Sequence, residues 1–408
     1  MKITPFAVSL ACLTIGSTSA FAPQNQSGRN SPSALFSSTT DEASADAKTD
    51  VSKNERPLLI RAALGEEVER TPVWMMRQAG RHMQCYRDLC KDYPTFRQRS
   101  ETPEVSAEIS LQPYRKYNTD GCIIFSDILT PLPGMGVDFD IDDKVGPVVE
   151  PIRSWDSFKK MHAIDPSAST SSFVGETLEM LKNEISPETA LLGFIGCPFT
   201  LATYLVEGKT SKEYLEIKKM AMSEPKLLHA ILQHLAENLA EYALYQVEHG
   251  AQLIQIFDSW AGHLSAEDYD TFAAPYQKFI LNKIKEKHPD LPTVIYIKHS
   301  GSLIERMAGT GVDVVSLDWT VDMAEGRERI NAGRAAAGFE GPGGVQGNLD
   351  PSALFGPHEE IKRRAEDILR KAGKRGHVMN LGHGIEAATS EESAQFFIET
   401  VRNFRHDD

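Results

Sequence analysis

The chain of 408 residues is long enough for one large domain or two ordinary ones, and its 41% hydrophobic content supports a sizeable core. Its 43 basic and 57 acidic residues leave a formal charge of −14, which disfavours nonspecific binding to nucleic acid or to a membrane surface, so an anionic ligand requires a local cluster of arginines. Of the five cysteines, Cys12 falls in a leader, and Cys85, Cys90, Cys122 and Cys197 match no zinc-ligand spacing, so no metal is expected and they read as ordinary thiols.

The first element in chain order is a targeting segment. Lys2 precedes an apolar run from Phe6 to Ile15 and the small residues Gly16 to Ala20, which is the grammar of a signal peptide; the run falls short of the ~20 residues a spanning helix needs. From Phe21 to Thr40 there is Arg29, abundant serine and no acid, as in a transit peptide. The string Ala20-Phe21-Ala22-Pro23 resembles the cleavage signature of bipartite presequences in algae with secondary plastids, which implies delivery to the plastid stroma; plain secretion is the competing reading. Residues 41–54 are polar and read as a linker. The division is therefore 1–54 for presequence and linker and 55–408 for a single folded domain.

Short, nearly continuous apolar runs then recur at Pro72–Met76, Cys122–Phe125, Ala190–Ile195, Leu253–Phe257, Thr293–Ile297, Val312–Leu317, Gly344–Gln346 and Val378–Leu381, as buried parallel strands do. Between them lie helical patterns, the longest from Ser223 to His249 with Leu228, Ile231, Leu232, Leu235 and Leu239 in phase. Alternating strands and helices predict an α/β parallel sheet, and about eight such units in this length predict a (β/α)₈ TIM barrel. Polar residues follow several of these strands: Ser126-Asp127, Asp258-Ser259, Lys298-His299, Asp318, Gln346-Gly347-Asn348 and Gly382-His383. In a barrel such strand ends converge on one face, although each residue alone could simply cap a helix.

The segment Met76-Arg77-Gln78-Ala79-Gly80-Arg81 places two guanidiniums four positions apart, on one face if the segment is helical. Arginine's planar fork suits carboxylates, though solvated surface arginines are the commoner case. Asp127 precedes Ile128-Leu129-Thr130-Pro131-Leu132-Pro133, too rich in proline for the helix it would otherwise cap. Tyr204 sits in an apolar stretch that suits a core tyrosine, and His383 stands between two glycines that leave room for a ligand to approach its ring.

Met76–Arg81 resembles the N-terminal signature of the uroporphyrinogen decarboxylase family, and Gly193–Leu201 with Tyr204 resembles its second signature. Phe125–Leu129, Phe257–Gly262, Gln346–Pro351 and Asn380–Gly384 match in family order, so the resemblance runs from Pro57 to Arg402. It implies a (β/α)₈ barrel, usually a homodimer with facing clefts. It implies that Arg77 and Arg81, with Gln78, Ala79 and Gly80 between them, bind substrate carboxylates, that Asp127 sits at the cleft centre, and that Tyr204, Ser259 and His383 complete the lining. Asp127, Arg77, Tyr204 and His383 are the catalytic candidates. The implied reaction is stepwise loss of carbon dioxide from the four acetates of uroporphyrinogen III, giving coproporphyrinogen III without a cofactor, because a protonated pyrrole serves as the electron sink. No P-loop or dinucleotide fingerprint argues otherwise.

Two stretches depart from the family pattern. His82-Met83-Gln84-Cys85 stands where Tyr-Leu-Pro is common, and Ile385–Thr389 lacks an expected proline. A zinc-dependent corrinoid methyltransferase of the same fold would need a His-x-Cys and a distant Cys, whereas these strand ends read Lys298-His299-Ser300-Gly301 and His383. The remaining rival is a noncatalytic tetrapyrrole-binding protein.

Overall fold

The apolar runs lie edge to edge in one sheet, because strands buried on both faces leave their backbone groups no partner but each other. The computed structural model describes residues 56–142 and 146–406. The presequence and linker assigned to residues 1–54 lie outside them.

The strands in chain order are β1 (Gly121–Ile123), β2 (Phe139–Asp142), β3 (Gly146–Val149), β4 (Ala190–Gly196), β5 (Leu253–Phe257), β6 (Thr293–Tyr296), β7 (Val314–Ser316), β8 (Gly344–Gln346) and β9 (His377–Val378). Seven of them form a parallel sheet in the order β1-β4-β5-β6-β7-β8-β9. The predicted strand Pro72–Met76 is the eighth stave, but it pairs too briefly to count as a regular strand. Val73 bridges Met379 in parallel on one side, and its carbonyl accepts the N–H of Asp120 at 2.9 Å on the other, so this segment closes the cylinder between β9 and β1. Pro72 has no N–H to give, and the chain leaves the sheet at Arg77, whose φ is 61°.

The closure is clamped by charge. Asp120 is nearly buried; its carboxylate takes a two-pronged grip from Arg70 at 2.7 and 2.6 Å, accepts the Val73 N–H at 2.8 Å and meets Arg402 at 3.1 Å. Arg70 precedes the closing stave and Arg402 lies in the last turn of the final helix, Glu391–Asn403, so one carboxylate ties both ends of the domain to the start of β1.

The long predicted helix runs Pro225–Glu248, begun by proline at its first turn, and buries Leu228, Ile231, Leu232, Leu235 and Leu239 against β4 and the helices Pro198–Glu207 and Ala274–Lys287. The antiparallel pair β2 and β3 has no counterpart among the predicted elements, which are continuous apolar runs; Val137-Asp138-Phe139-Asp140-Ile141-Asp142 instead alternates apolar and acidic residues, as a half-buried strand does, and Pro147 interrupts β3. Arg97 covers the Phe139 ring at 5.2 Å, and Ile141 and Gly146 reach the site described next. Among the described residues, no helix is long and apolar enough to cross a membrane.

Candidate active site

A cavity of ≈ 600 Å³ opens where the strands end, within the ~300–1,000 Å³ typical of small-molecule sites. Its wall collects Met76 to Arg81 from the closing stave, Ile123 to Asp127 from the end of β1 onward, Phe194 from β4, Tyr204 from the helix after β4, Phe257 from β5, Ser259 after β5 and His383 after β9. Arg77, Gln78, Ala79, Gly80, Arg81, Asp127, Tyr204, Ser259 and His383 thus share one cavity at the carboxyl ends of the strands, where barrel sites are built.

The two signature arginines stand on a turn, not on a helix, with Arg77 in the left-handed region. The turn is fixed by Gln78, which is fully buried; its Oε1 accepts the Met75 N–H at 3.1 Å and its Nε2 donates to the Gly121 carbonyl at 3.0 Å. Gln78 therefore reaches the cavity with its amide already engaged. Arg77 and Arg81 are exposed, and neither forms an ion pair or side-chain hydrogen bond among the described residues. Two free guanidiniums at a cavity wall are ready to take an anion.

Asp127 is the only carboxylate among the described lining residues. Its Oδ1 accepts the Leu129 N–H at 2.8 Å, which turns the chain over Thr130 without starting a helix, and its Oδ2 has no partner among the described residues. Burial raises its pKa above the ordinary carboxylate value, against the opposing pull of the Leu129 N–H and the Arg77 charge. Tyr204 rides on the helix Pro198–Glu207, which starts at Pro198 and stops at Gly208, in the left-handed conformation at φ 80°. Burial and the charge of Asp127 hold its phenol protonated, and its ring lies 4.0 Å from that of Trp260.

The strand-end residues divide into two groups. Asp258 is fully buried and turned inward, bonded to the Thr200 N–H and hydroxyl at 3.0 and 2.7 Å and to Gln277 at 2.7 Å; it locks the Tyr204 helix to the end of β5. Asp318 likewise accepts from Ser300 N–H and from Thr320, and Asn348 donates to the carbonyls of Asp318 and Val321. Ser126, Asp127, Ser259 and His383 face the cavity instead.

His383 is neutral. Burial, then the charges of Arg77 and Lys298, bring its pKa down to about 4, against a smaller opposing pull from Asp318. The glycines flanking it make room for protein groups more than for a ligand: a β-carbon at Gly384 would collide with the Arg77 side chain, and one at Gly382 with the Trp319 backbone. Gly384→Ala is therefore expected to fold and to displace Arg77, lowering kcat/KM by about 10–100-fold in a steady-state assay, since a side chain misplaced by an ångström can cost that much.

Sequence reasoning missed part of the wall. Arg99, in the short helix Phe96–Glu101, is buried, donates to the carbonyls of Tyr93 and Pro94 at 2.5 and 2.8 Å, lies over the Tyr86 ring at 5.6 Å and has no carboxylate partner among the described residues. Six residues hold too little periodicity to separate it from its surface neighbour Arg97, which pairs with Glu101 at 2.5 Å. His82 is buried beside Tyr117, and burial brings its pKa down to about 4. After it a helix begins at Gln84, whose N–H is accepted by Glu391 at 2.7 Å, so a distant carboxylate caps this departing stretch. Among the described residues, no three His, Cys, Asp or Glu side chains are grouped as a metal site requires.

In a protein of charge −14, the described lining of this cavity thus holds three guanidiniums and one carboxylate. The uroporphyrinogen decarboxylase (URO-D) family model matches residues 54–404. A uroporphyrinogen decarboxylase of Prochlorococcus marinus is 55% identical over 348 residues, 85% of this chain and 96% of the relative, and one of Picosynechococcus sp. is 52% identical over 351 residues, 86% and 97%. Among solved structures, a methyltransferase from Methanosarcina mazei superposes with a TM-score of 0.67 at 20% identity over 84% of this chain and 97% of its own, a likeness of fold alone. The chain belongs to the uroporphyrinogen decarboxylase family.

Proposed function

We propose that this protein removes the four acetate carboxyls of uroporphyrinogen III one after another, giving coproporphyrinogen III and carbon dioxide, without a cofactor. The observation that carries the residue assignment is Asp127, the one carboxylate among the described lining residues, with one free oxygen in the same ≈ 600 Å³ cavity as two unpaired arginines. Protonation of a pyrrole ring carbon makes a cationic imine. The electron pair of the breaking C–CO₂ bond flows into that cation and leaves an exocyclic methylene; a proton adds to the methylene and the ring carbon releases its own, so each acetate exchanges carbon dioxide for one proton. The electron sink belongs to the substrate.

Asp127 serves this course by accepting pyrrole N–H bonds at Oδ2 and by opposing the positive charge that develops on the ring, in a cavity from which the macrocycle displaces water. Its pKa, raised in the free protein, falls again when N–H donors and a cation arrive. Arg77 and Arg81 hold side-chain carboxylates, and Arg99 adds positive potential to the same wall. Tyr204, Ser259 and His383 complete the polar lining. Arg77→Ala and Arg81→Ala are each expected to raise KM and lower kcat/KM by about 10-fold or more, the worth of a charge-assisted hydrogen bond.

The assay is direct. Purified protein is incubated with uroporphyrinogen under anaerobic, reducing conditions, and the products are oxidised and separated by chromatography. Accumulation of coproporphyrin after the hepta-, hexa- and pentacarboxylate intermediates supports the reading; prolonged incubation with none reduces it to tetrapyrrole binding. From the family resemblance we also infer a homodimer with facing clefts, which sedimentation would report at twice the chain mass. From residues 1–54 we infer delivery to a plastid, which a fluorescent fusion of that segment would show in an alga with secondary plastids.

A further inference from the structure

Beneath His383 lies a residue outside all of the signature segments quoted above. Tyr296 ends β6, is fully buried, and aims its hydroxyl at two groups at once: the carbonyl of Gly382 at 3.0 Å and Nδ1 of His383, also at 3.0 Å. A phenol has one proton to give. The carbonyl can only accept, Gly382 is itself buried, and no other described donor reaches its oxygen. If the proton went to Nδ1, that carbonyl would be left buried and unsatisfied, so the proton belongs to the carbonyl. The phenol oxygen then accepts, and the only donor beside it among the described residues is Nδ1–H. Burial keeps the phenol protonated and His383 neutral, with one ring proton to place.

We propose that Tyr296 is a positioning residue that fixes His383 as the Nδ1–H tautomer, so that His383 meets the substrate with a bare Nε2, as an acceptor and not as a proton donor. No described protein group bonds Nε2, and His383 lines the cavity, which leaves that lone pair for the macrocycle. Arg77, Lys298 and His299 lie close enough to disfavour a second proton on the ring. The arrangement resembles in logic any neutral catalytic imidazole whose outer nitrogen is defined by the bond its inner nitrogen makes. Here the partner is a phenol that has itself been committed by a backbone carbonyl. A consequence for the chemistry is that the proton delivered to the ring or to the methylene comes from a group other than His383.

The substrate half of this proposal rests on the decarboxylation reading; the tautomer does not, and it is measured on the resting protein. Nitrogen NMR of the full chain carrying isotope-labelled histidine, with His383→Gln to assign the signals, is expected to show a protonated Nδ1 and an unprotonated Nε2 for His383. A protonated Nε2 would overturn the proposal whatever the protein catalyses. Tyr296→Phe keeps the ring and removes the hydroxyl: the His383 signals should shift toward the other tautomer, and kcat should fall about 10-fold with KM little changed. Combined with His383→Gln, Tyr296→Phe should add no further loss. A variant that keeps both the tautomer and kcat, or that lowers activity equally with and without His383, would show that Tyr296 only packs.

Discussion

Asp127→Asn is expected to lose about 10²–10³-fold in kcat while folding normally, the scale on which removal of one preorganised electrostatic partner is felt. Asparagine keeps the shape and an Oδ1 that still accepts the Leu129 N–H, so the loss reports the charge and not the turn. The same substitution should leave the melting temperature at neutral pH unchanged or raise it. The sign follows from burial: the folded-state pKa of Asp127 lies above its unfolded value, so ionisation costs stability as pH rises through the folded pKa, and the neutral amide removes that cost. Activity has the opposite dependence. In wild-type enzyme kcat/KM should fall as pH drops through the raised pKa of the free enzyme, at a higher pH than an ordinary aspartate would give, and the limb in kcat should lie lower, because bound pyrrole N–H groups favour the anion. Near-normal turnover in Asp127→Asn, or two limbs at the same pH, would remove the carboxylate from the mechanism.

Asp120→Ala is expected to produce the largest loss of stability, about 3–5 kcal/mol, the usual cost of breaking a buried ion pair from one side. It strands Arg70 with most of its side chain buried, leaves the Val73 N–H without an acceptor and leaves Arg402, in the last turn of the last helix, with the Asn118 carbonyl at 2.8 Å but no counter-charge. Because Val73 belongs to the closing stave, the cylinder should loosen next to the signature arginines. Activity should therefore fall with temperature well before global unfolding is seen by circular dichroism. Replacing Arg70 by methionine and Asp120 by leucine together should restore part of the stability, since the more deeply buried of the two guanidiniums is removed along with its carboxylate. A denaturation midpoint unaltered in the single variant would mean that the clamp contributes nothing to closure.

The parallel sheet was legible because a strand buried on both faces must be apolar along its length, and the runs at Ala190–Ile195, Leu253–Phe257, Thr293–Ile297 and Gly344–Gln346 are observed within a residue or two of where periodicity places them. The closing stave was legible as an apolar run but not as the shortest link in the ring, since pairing length depends on the two neighbours. The β2 strand is written in the alternation from Val137 to Asp142, a pattern distinct from the continuous apolar runs of the parallel sheet, whereas β3 is broken by Pro147. The residue types suited to grip an anion were legible as Met76–Arg81, yet their support was not: Gln78 looks like one more binding residue until the Gly121 carbonyl is found at its amide.

By itself, the order of residues determined the succession of strands and helices, the placement of Arg77, Arg81 and Asp127 at their ends, and the chemistry these groups offer, because hydrophobic period and side-chain functional groups are local properties. Only the tertiary structure decided which of the strand-end polar groups remain free: Asp258 and Asp318 are consumed by inward hydrogen bonds, whereas Asp127 keeps an oxygen and His383 a nitrogen for the cavity. It also brought Arg99 into the wall and set Tyr296 behind His383 across 87 residues of chain. The physical reason is that protonation, desolvation and hydrogen-bond satisfaction are set by every group within a few ångströms, and those groups come from segments far apart in sequence.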